Sequence, residues 1–175
     1  MDIWTAMKTR RSVRSYTGEP VSEEAVRAML EAAMLAPSAG NEQPWEFILV
    51  RDKEALVRAG GINPYASFSP KASLGVMICL NREREKYAGM GFLDIAACTQ
   101  NLLLAAHGLG LGAVWTAVYP VEERVKGFRA LLALPENVIP VAFVLVGHPG
   151  EKSSSVAARF DEGRIHNEAW GNRGL

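Results

Sequence analysis

The chain has 175 residues, 49% hydrophobic and 22% charged, with 19 Lys and Arg balanced by 19 Asp and Glu. A chain of this length is expected to form one domain and to bury about 70% of the surface its unfolded form exposes, so it needs no disulfide or metal staple. The zero formal net charge argues against general nucleic-acid binding, which is driven by phosphate neutralisation.

In chain order, Met1-Asp2-Ile3-Trp4 has no apolar stretch of signal-peptide type, and a cytoplasmic protein is expected. Asp2 can cap a short helix to about Thr9, and residues 9–21 read as an extended loop. Ser22 is a good N-cap, with Glu23 and Glu24 in the first turn where the macrodipole favours them. Val26, Leu30, Ala33 and Met34 recur at helical spacing, so a helix is expected to about Leu35, stopped by Pro37. Residues 37–44 are turn formers and amides. Trp45–Arg51 reads as a strand, and Asp52 caps a helix to about Ala59. Gly60–Pro70 is irregular, and Ser73–Leu80 is a second strand.

Arg82–Lys86 reads as a solvated turn. The segment Phe92–His107 then forms a helix that is apolar nearly all round and needs cover on most sides. Asp94, Thr99, Gln100, Asn101 and His107 make it a poor membrane span. Cys79 and Cys98 lie in apolar runs and read as small buried hydrophobes in a reducing compartment, with no disulfide or zinc pattern. Leu111–Thr116 is a third strand, Val121–Leu132 an amphipathic helix and Ile139–Val146 a fourth strand. Residues 150–175 are polar and read as an extended tail. Helices and strands alternate without a regular βαβ cycle, so the expected class is α+β, a mixed, mainly antiparallel sheet flanked by helices.

Three features could carry chemistry. Arg outnumbers Lys by 13 to 6, and Arg10, Arg11 and Arg14 fall together around Ser12. Guanidinium forks and a hydroxyl at this spacing suit a phosphate monoester, although a solvated basic turn has the same composition. In an extended segment Arg10, Ser12 and Arg14 share a face. The amides Asn41 and Gln43 could hydrogen-bond a flat heterocycle, or simply stabilise a surface turn. Gly108-Leu109-Gly110-Leu111-Gly112-Ala113 matches a G-x-G-x-x-A pattern. It follows a helix and precedes a strand, the reverse of a dinucleotide-binding turn, and is rejected as one. His107, His148 and His166 lack ligand spacing, and no nucleophile motif is present. With no evident acid, base or nucleophile, any chemistry falls to a bound cofactor.

Five segments together resemble the FMN-dependent nitroreductase family: Arg10–Arg14, Ala36–Trp45, Asp94–His107, Gly110–Trp115, and Gly147-His148-Pro149 with Arg159-Phe160. The resemblance spans nearly the whole chain. It implies an intertwined homodimer with FMN at the subunit interface and the tail packing on the partner. The reaction it implies is hydride transfer from NAD(P)H to flavin N5, then to an acceptor such as a nitroaromatic or quinone. A flavin-binding sensor or carrier without turnover is the alternative. Carried over by position, Arg10, Arg11, Ser12 and Arg14 form the first FMN element. Arg10 and Ser12 face the phosphate and ribityl chain, and Arg14 faces the N1–C2=O edge of the ring. Arg159 adds a second phosphate contact, and Pro37, Ser38, Ala39 and Asn41 come from the partner. Trp115, Thr116 and Ala117 cover one side of the ring. The family often has Gly where this chain has Ala117, whose methyl would narrow that space. Asn63, Tyr65 and Phe68 are the candidates for a further ring contact.

Overall fold

The computed structural model describes residues 1–150 and 158–174. Local signals set most element starts. Asp2 accepts from Thr5 N at 3.0 Å and caps α1 (Ile3–Thr9), and Ser22 accepts from Ala25 N at 3.2 Å and caps α2 (Glu23–Met34). Asp52 accepts from Ala55 N at 2.7 Å and caps α3 (Lys53–Ile62). The strands are β1 (Trp45–Val50), β2 (Leu74–Asn81), β3 (Gly112–Ala117) and β4 (Val138–Gly147); the remaining helices are α4 (Gly91–Gly108) and α5 (Glu122–Leu132).

The sheet order is β1-β2-β4-β3, and all three strand pairs are antiparallel. The only parallel pairing described is the isolated bridge between Ser12 and Ala113, so the four strands themselves are not mixed. β2 and β4 are buried almost end to end because helices cover both faces. Side-chain alternation divides the core. Val76, Ile78, Ala142 and Val144 face α2 and α4, with Met29, Ile95 and Leu102. Met77, Cys79, Phe143 and Leu145 face the other way, with Leu56 and Ala59 of α3 and Phe128 of α5. Between Ile78 and Cys79 the register slips past Val141, whose carbonyl instead accepts from Val118 N and Tyr119 N, both at 3.1 Å. Pro140, opposite Cys79, has no N–H to give the ladder.

The structure corrects several sequence expectations. α3 continues through Gly60-Gly61 to Ile62, and the stretch after it folds into two short 3₁₀ turns, Pro64–Ala66 and Ser69–Lys71. These turns pack so closely that a Cβ on Gly60 would meet Ser69 Oγ at 3.0 Å and Ala66 O at 3.1 Å. The tail is not extended throughout. Glu162–Arg164 is a 3₁₀ turn and His166 bridges back to Arg173; the tail segment 151–157 lies outside the described residues. The turn at Arg82–Lys86 is only partly solvated, since the Glu85 side chain is 4% exposed and accepts from Gly89 N and Gly91 N. Cys79 and Cys98 are free and fully buried, and burial pushes both thiols up to about 12. Among the described residues no helix is long and apolar enough to cross a membrane.

Candidate functional site

The segment after α1 runs along the free edge of β3. Val13 N donates to Ala113 O at 3.1 Å and Ser12 bridges to Ala113. The approach needs Gly112, because a Cβ there would lie 2.6 Å from Val13 Cγ1 and 2.8 Å from Val13 Cβ. Farther on, Tyr16 buries its ring and donates its hydroxyl to Val13 O at 2.7 Å and Leu145 O at 3.2 Å. With Val13 and Tyr16 held inward, Ser12 and Arg14 point to solvent.

This geometry gathers cations. Arg10 is half-buried; its proton affinity is lowered first by burial and then by the charges of Arg159 and Arg11. The charge of Arg159, in the tail, is thus felt at the start of the chain. Arg11 turns back to the C-terminus of α1, donating to Arg10 O and, at 3.1 Å, to Lys8 O. His107, at the end of α4, lies 2.7 Å from Thr9 Oγ1 through Nε2. Burial lowers its pKa first, then Arg10 and Arg11 lower it further. Among the described residues, no ion pair engages Arg10, Arg11, Arg14 or Arg159. Arg10 and Arg11 are half-buried and Arg14 and Arg159 exposed; guanidinium groups with no carboxylate partner among the described residues form a ready anion site.

β3 supplies a second surface. Trp115 and Ala117 are exposed, on the face set by Ala113, whereas Thr116 is buried and donates its hydroxyl to Phe143 O at 2.7 Å. Thr116 can therefore serve this surface only through its backbone. The strand end is pinned at the Ala117 carbonyl, which accepts from Asn63 Nδ2 at 3.1 Å and Arg124 Nη1 at 2.9 Å. Asn63 is fully buried and also accepts from Tyr65 N at 3.1 Å, so its amide is spent on the fold and not free for a ring contact. Tyr65 is exposed beneath Arg124, whose guanidinium lies 5.2 Å from the ring centroid, and Phe68 packs towards Tyr16.

The loop carrying Pro37, Ser38, Ala39 and Asn41 lies elsewhere. It contains a 3₁₀ turn, Ala39–Asn41, with Gly40, Asn41 and Gln43 at positive φ. Ser38 Oγ accepts from Gln43 N at 3.0 Å, and Ala39 N donates to Asp94 Oδ1 at 3.1 Å at the start of α4. The arginine cluster sits at the other end of the same helix, beside His107. At 1.5 Å per residue these two points are about 20 Å apart along α4. One chain thus does not bring the 37–41 loop to its own arginine cluster.

The sequence profile of the nitroreductase family matches residues 7–73 and 67–148. A candidate NADH dehydrogenase/NAD(P)H nitroreductase of Methanothermobacter thermautotrophicus is 45% identical over 170 residues, covering 97% of this chain and 88% of that one. The chain belongs to the nitroreductase family. The fold agrees with solved members of this family of oxidoreductases. A candidate NADH dehydrogenase/NAD(P)H nitroreductase from Parabacteroides distasonis superposes with a TM-score of 0.91 at 36% identity, covering 95% of this chain and 98% of that one. A candidate nitroreductase from Desulfovibrio desulfuricans, solved in complex with FMN, superposes with a TM-score of 0.79 at 35% identity, covering 91% of this chain and 92% of that one.

Three acidic residues behind the nitroreductase loop escaped the sequence reading. Glu42 and Asp94 are buried, and Glu85 is enclosed by backbone N–H groups. The available signal was Asp94, a charge at a helical position whose neighbours are apolar.

Proposed function

We propose that the protein is an FMN-dependent NAD(P)H oxidoreductase that works as a homodimer and reduces a small acceptor such as a nitroaromatic or quinone. The observation that carries this reading is that the charges of Arg11 and Arg159 bear on half-buried Arg10, with no ion pair to any of the three among the described residues, beside Ser12 on the β3 edge. The donor set fits FMN: guanidinium groups for the phosphate, a hydroxyl beside them, and an exposed Trp115–Ala117 surface for a planar ring. The FMN complex of the Desulfovibrio relative supports it.

In this reading Arg10 and Arg159 hold the phosphate, and Ser12 reaches the ribityl chain. Arg11 contributes its charge while its guanidinium holds the end of α1. Arg14 would hold a cation near the ring, favouring the negative charge of the reduced cofactor. Trp115 and Ala117, with the Thr116 backbone, back the ring. When bound, FMN would supply the redox chemistry, two-electron transfer from NAD(P)H to an acceptor. The chain's own part is to hold and tune the ring and to exclude bulky groups. Water can supply protons.

In this reading the partner subunit supplies Pro37, Ser38, Ala39 and Asn41, since the chain's own loop lies at the opposite end of α4 from its arginines. Exposed apolar side chains support a second copy. Trp4 is 64% exposed on α1, Leu35 81% exposed after α2, and Leu93 66% exposed on α4. Trp170, 90% exposed in the tail, fits tail packing on the partner.

Two measurements test the proposal. Sedimentation should give a particle of two 19.0 kDa chains. FMN-loaded protein, mixed with NADH or NADPH without oxygen, should lose its visible flavin absorbance and regain it when an acceptor is added. A flavin band that neither nucleotide bleaches would overturn the enzymatic reading.

Gly112→Ala gives a separate check on the architecture. Its methyl would push against Val13 and lift the arginine segment from the sheet edge. FMN affinity is expected to fall by roughly tenfold or more, the loss of about one charge-assisted contact. Isothermal titration would read it, and an unchanged affinity would contradict the placement of the segment.

A further inference from the structure

Two carboxylates, one from the 37–43 loop and one from the start of α4 behind it, are buried without a cation partner among the described residues. Glu42 is 6% exposed and Asp94 7%. One oxygen of each is accounted for. Asp94 Oδ1 accepts from Ala39 N at 3.1 Å, and Glu42 Oε2 accepts from Lys86 N at 2.6 Å and Tyr87 N at 3.0 Å. The remaining oxygens, Asp94 Oδ2 and Glu42 Oε1, are buried with no donor among the described residues, and Ala39 joins the two residues, its N–H bonded to Asp94 and its carbonyl accepting from Glu42 N at 3.0 Å. Among the described residues, neither forms an ion pair.

Two ionised carboxylates in this arrangement would repel each other and leave two buried oxygens unsatisfied. A single proton between them removes one charge and satisfies both oxygens. We propose that Asp94 and Glu42 share one proton at neutral pH, and that this acid–carboxylate hydrogen bond holds the 37–43 loop in its FMN-binding shape. The first half rests on the two buried, unpartnered oxygens and is independent of the FMN reading; the second rests on the FMN reading above. Both residues act as positioning residues, through Ser38, Ala39 and Asn41.

The surroundings favour the shared proton. Burial raises the Asp94 pKa most; the bond from Ala39 N opposes it, while Glu42 and the charge of Glu85 add to it. Asp94 meets Glu42 from the loop and Glu85 from the turn before α4. The charge of Glu85 is already engaged by Arg82, Gly89 N and Gly91 N. Lys86 and Tyr87 contribute their backbone N–H groups, and the Lys86 residue is exposed. The pair thus ties together the loop, the 85–91 turn and the first turn of α4. The turn is seated on the loop at Gly40, where φ is +50° and a Cβ would run into the Tyr87 ring. The sign follows. A carboxyl whose folded-state pKa is raised stabilises the lock at low pH, and that contribution is lost as pH rises through the raised value.

The test titrates FMN into flavin-free protein from pH 6 to pH 9, for the unmodified chain, Asp94→Asn and Asp94→Ala. Asn keeps an oxygen for Ala39 N and offers Glu42 an N–H without needing a proton. The unmodified protein should lose FMN affinity towards alkaline pH, by up to about tenfold per pH unit once the proton leaves. Asp94→Asn should bind within about threefold of it at neutral pH, with the alkaline loss gone, and Asp94→Ala should bind more weakly throughout. Glu42→Gln makes the same replacement from the other side and should flatten the profile in the same way. Parallel pH profiles for the unmodified and amide variants would overturn the lock. The infrared difference between unmodified protein and Asp94→Asn should contain the carbonyl stretch of a protonated carboxyl group at neutral pH, and its absence would overturn the shared proton. Failure of the unmodified protein to bind FMN at all would overturn the FMN reading instead, leaving the infrared result to decide the proton.

Discussion

Replacing Arg10 with alanine is expected to weaken FMN binding about ten- to a hundredfold while leaving the unfolding midpoint nearly unchanged. A charge-assisted hydrogen bond contributes roughly 1.5–3 kcal/mol, which converts to this range of affinity. The fold should tolerate the change because Arg10 makes no ion pair among the described residues and lies under the repulsion of Arg159 and Arg11. Removing it relieves that repulsion in the flavin-free protein. Arg159→Ala should behave in the same way. Arg11→Ala should differ, because its guanidinium caps carbonyls at the end of α1. It should cost stability there and a smaller share of FMN affinity. Fluorescence titration of the three variants separates these outcomes. Unchanged affinity in both Arg10→Ala and Arg159→Ala would refute the phosphate assignment.

The largest stability loss is expected at Phe143. Its side chain is fully buried at the centre of β4, with its ring 5.1 Å from that of Phe128 and tilted by 47°. It also fills the space above Gly75 on β2, where any Cβ would collide with it. The helices α3 and α5 on that face cannot both close a hole of this size, so Phe143→Ala leaves a cavity and should cost about 3–5 kcal/mol. That is a large share of the roughly 5–15 kcal/mol that typically holds a domain together. The midpoint of denaturant unfolding, measured without flavin, reads the loss. Phe143→Leu should recover most of it. A loss below about 1 kcal/mol for the alanine variant would show that the core collapses there and would contradict the packing described.

The elements most legible in the sequence were those with a local chemical signal. Asp2, Ser22 and Asp52 each cap the helix expected of them, through hydrogen bonds that involve only near neighbours. β2 and β4 were read from continuous apolar runs, because both faces of a central strand are covered. The 3₁₀ turns after Ile62 were not legible, since they depend on close packing against Gly60 and on the buried Asn63 amide that caps the first of them. The site divides in the same way. The Arg10–Arg14 cluster is visible as a local run, but its meeting with Arg159 and His107 is a tertiary event. Glu42 reads as one more polar loop residue, and only the folded chain places it against Asp94. The helix Phe92–His107 was expected to need cover on most sides. It is buried along one flank, while Leu93 remains open where a second copy would pack.

The central claim is that the arginine cluster reads the phosphate of FMN, and comparing FMN with riboflavin tests it most directly. The two ligands share the ring and the ribityl chain and differ in the phosphate alone. Both are titrated into the same flavin-free, unmodified protein at one salt concentration. FMN is expected to bind at least about a hundredfold more tightly, the combined effect of two charge-assisted contacts from Arg10 and Arg159. Equal affinity for the two ligands would contradict the account.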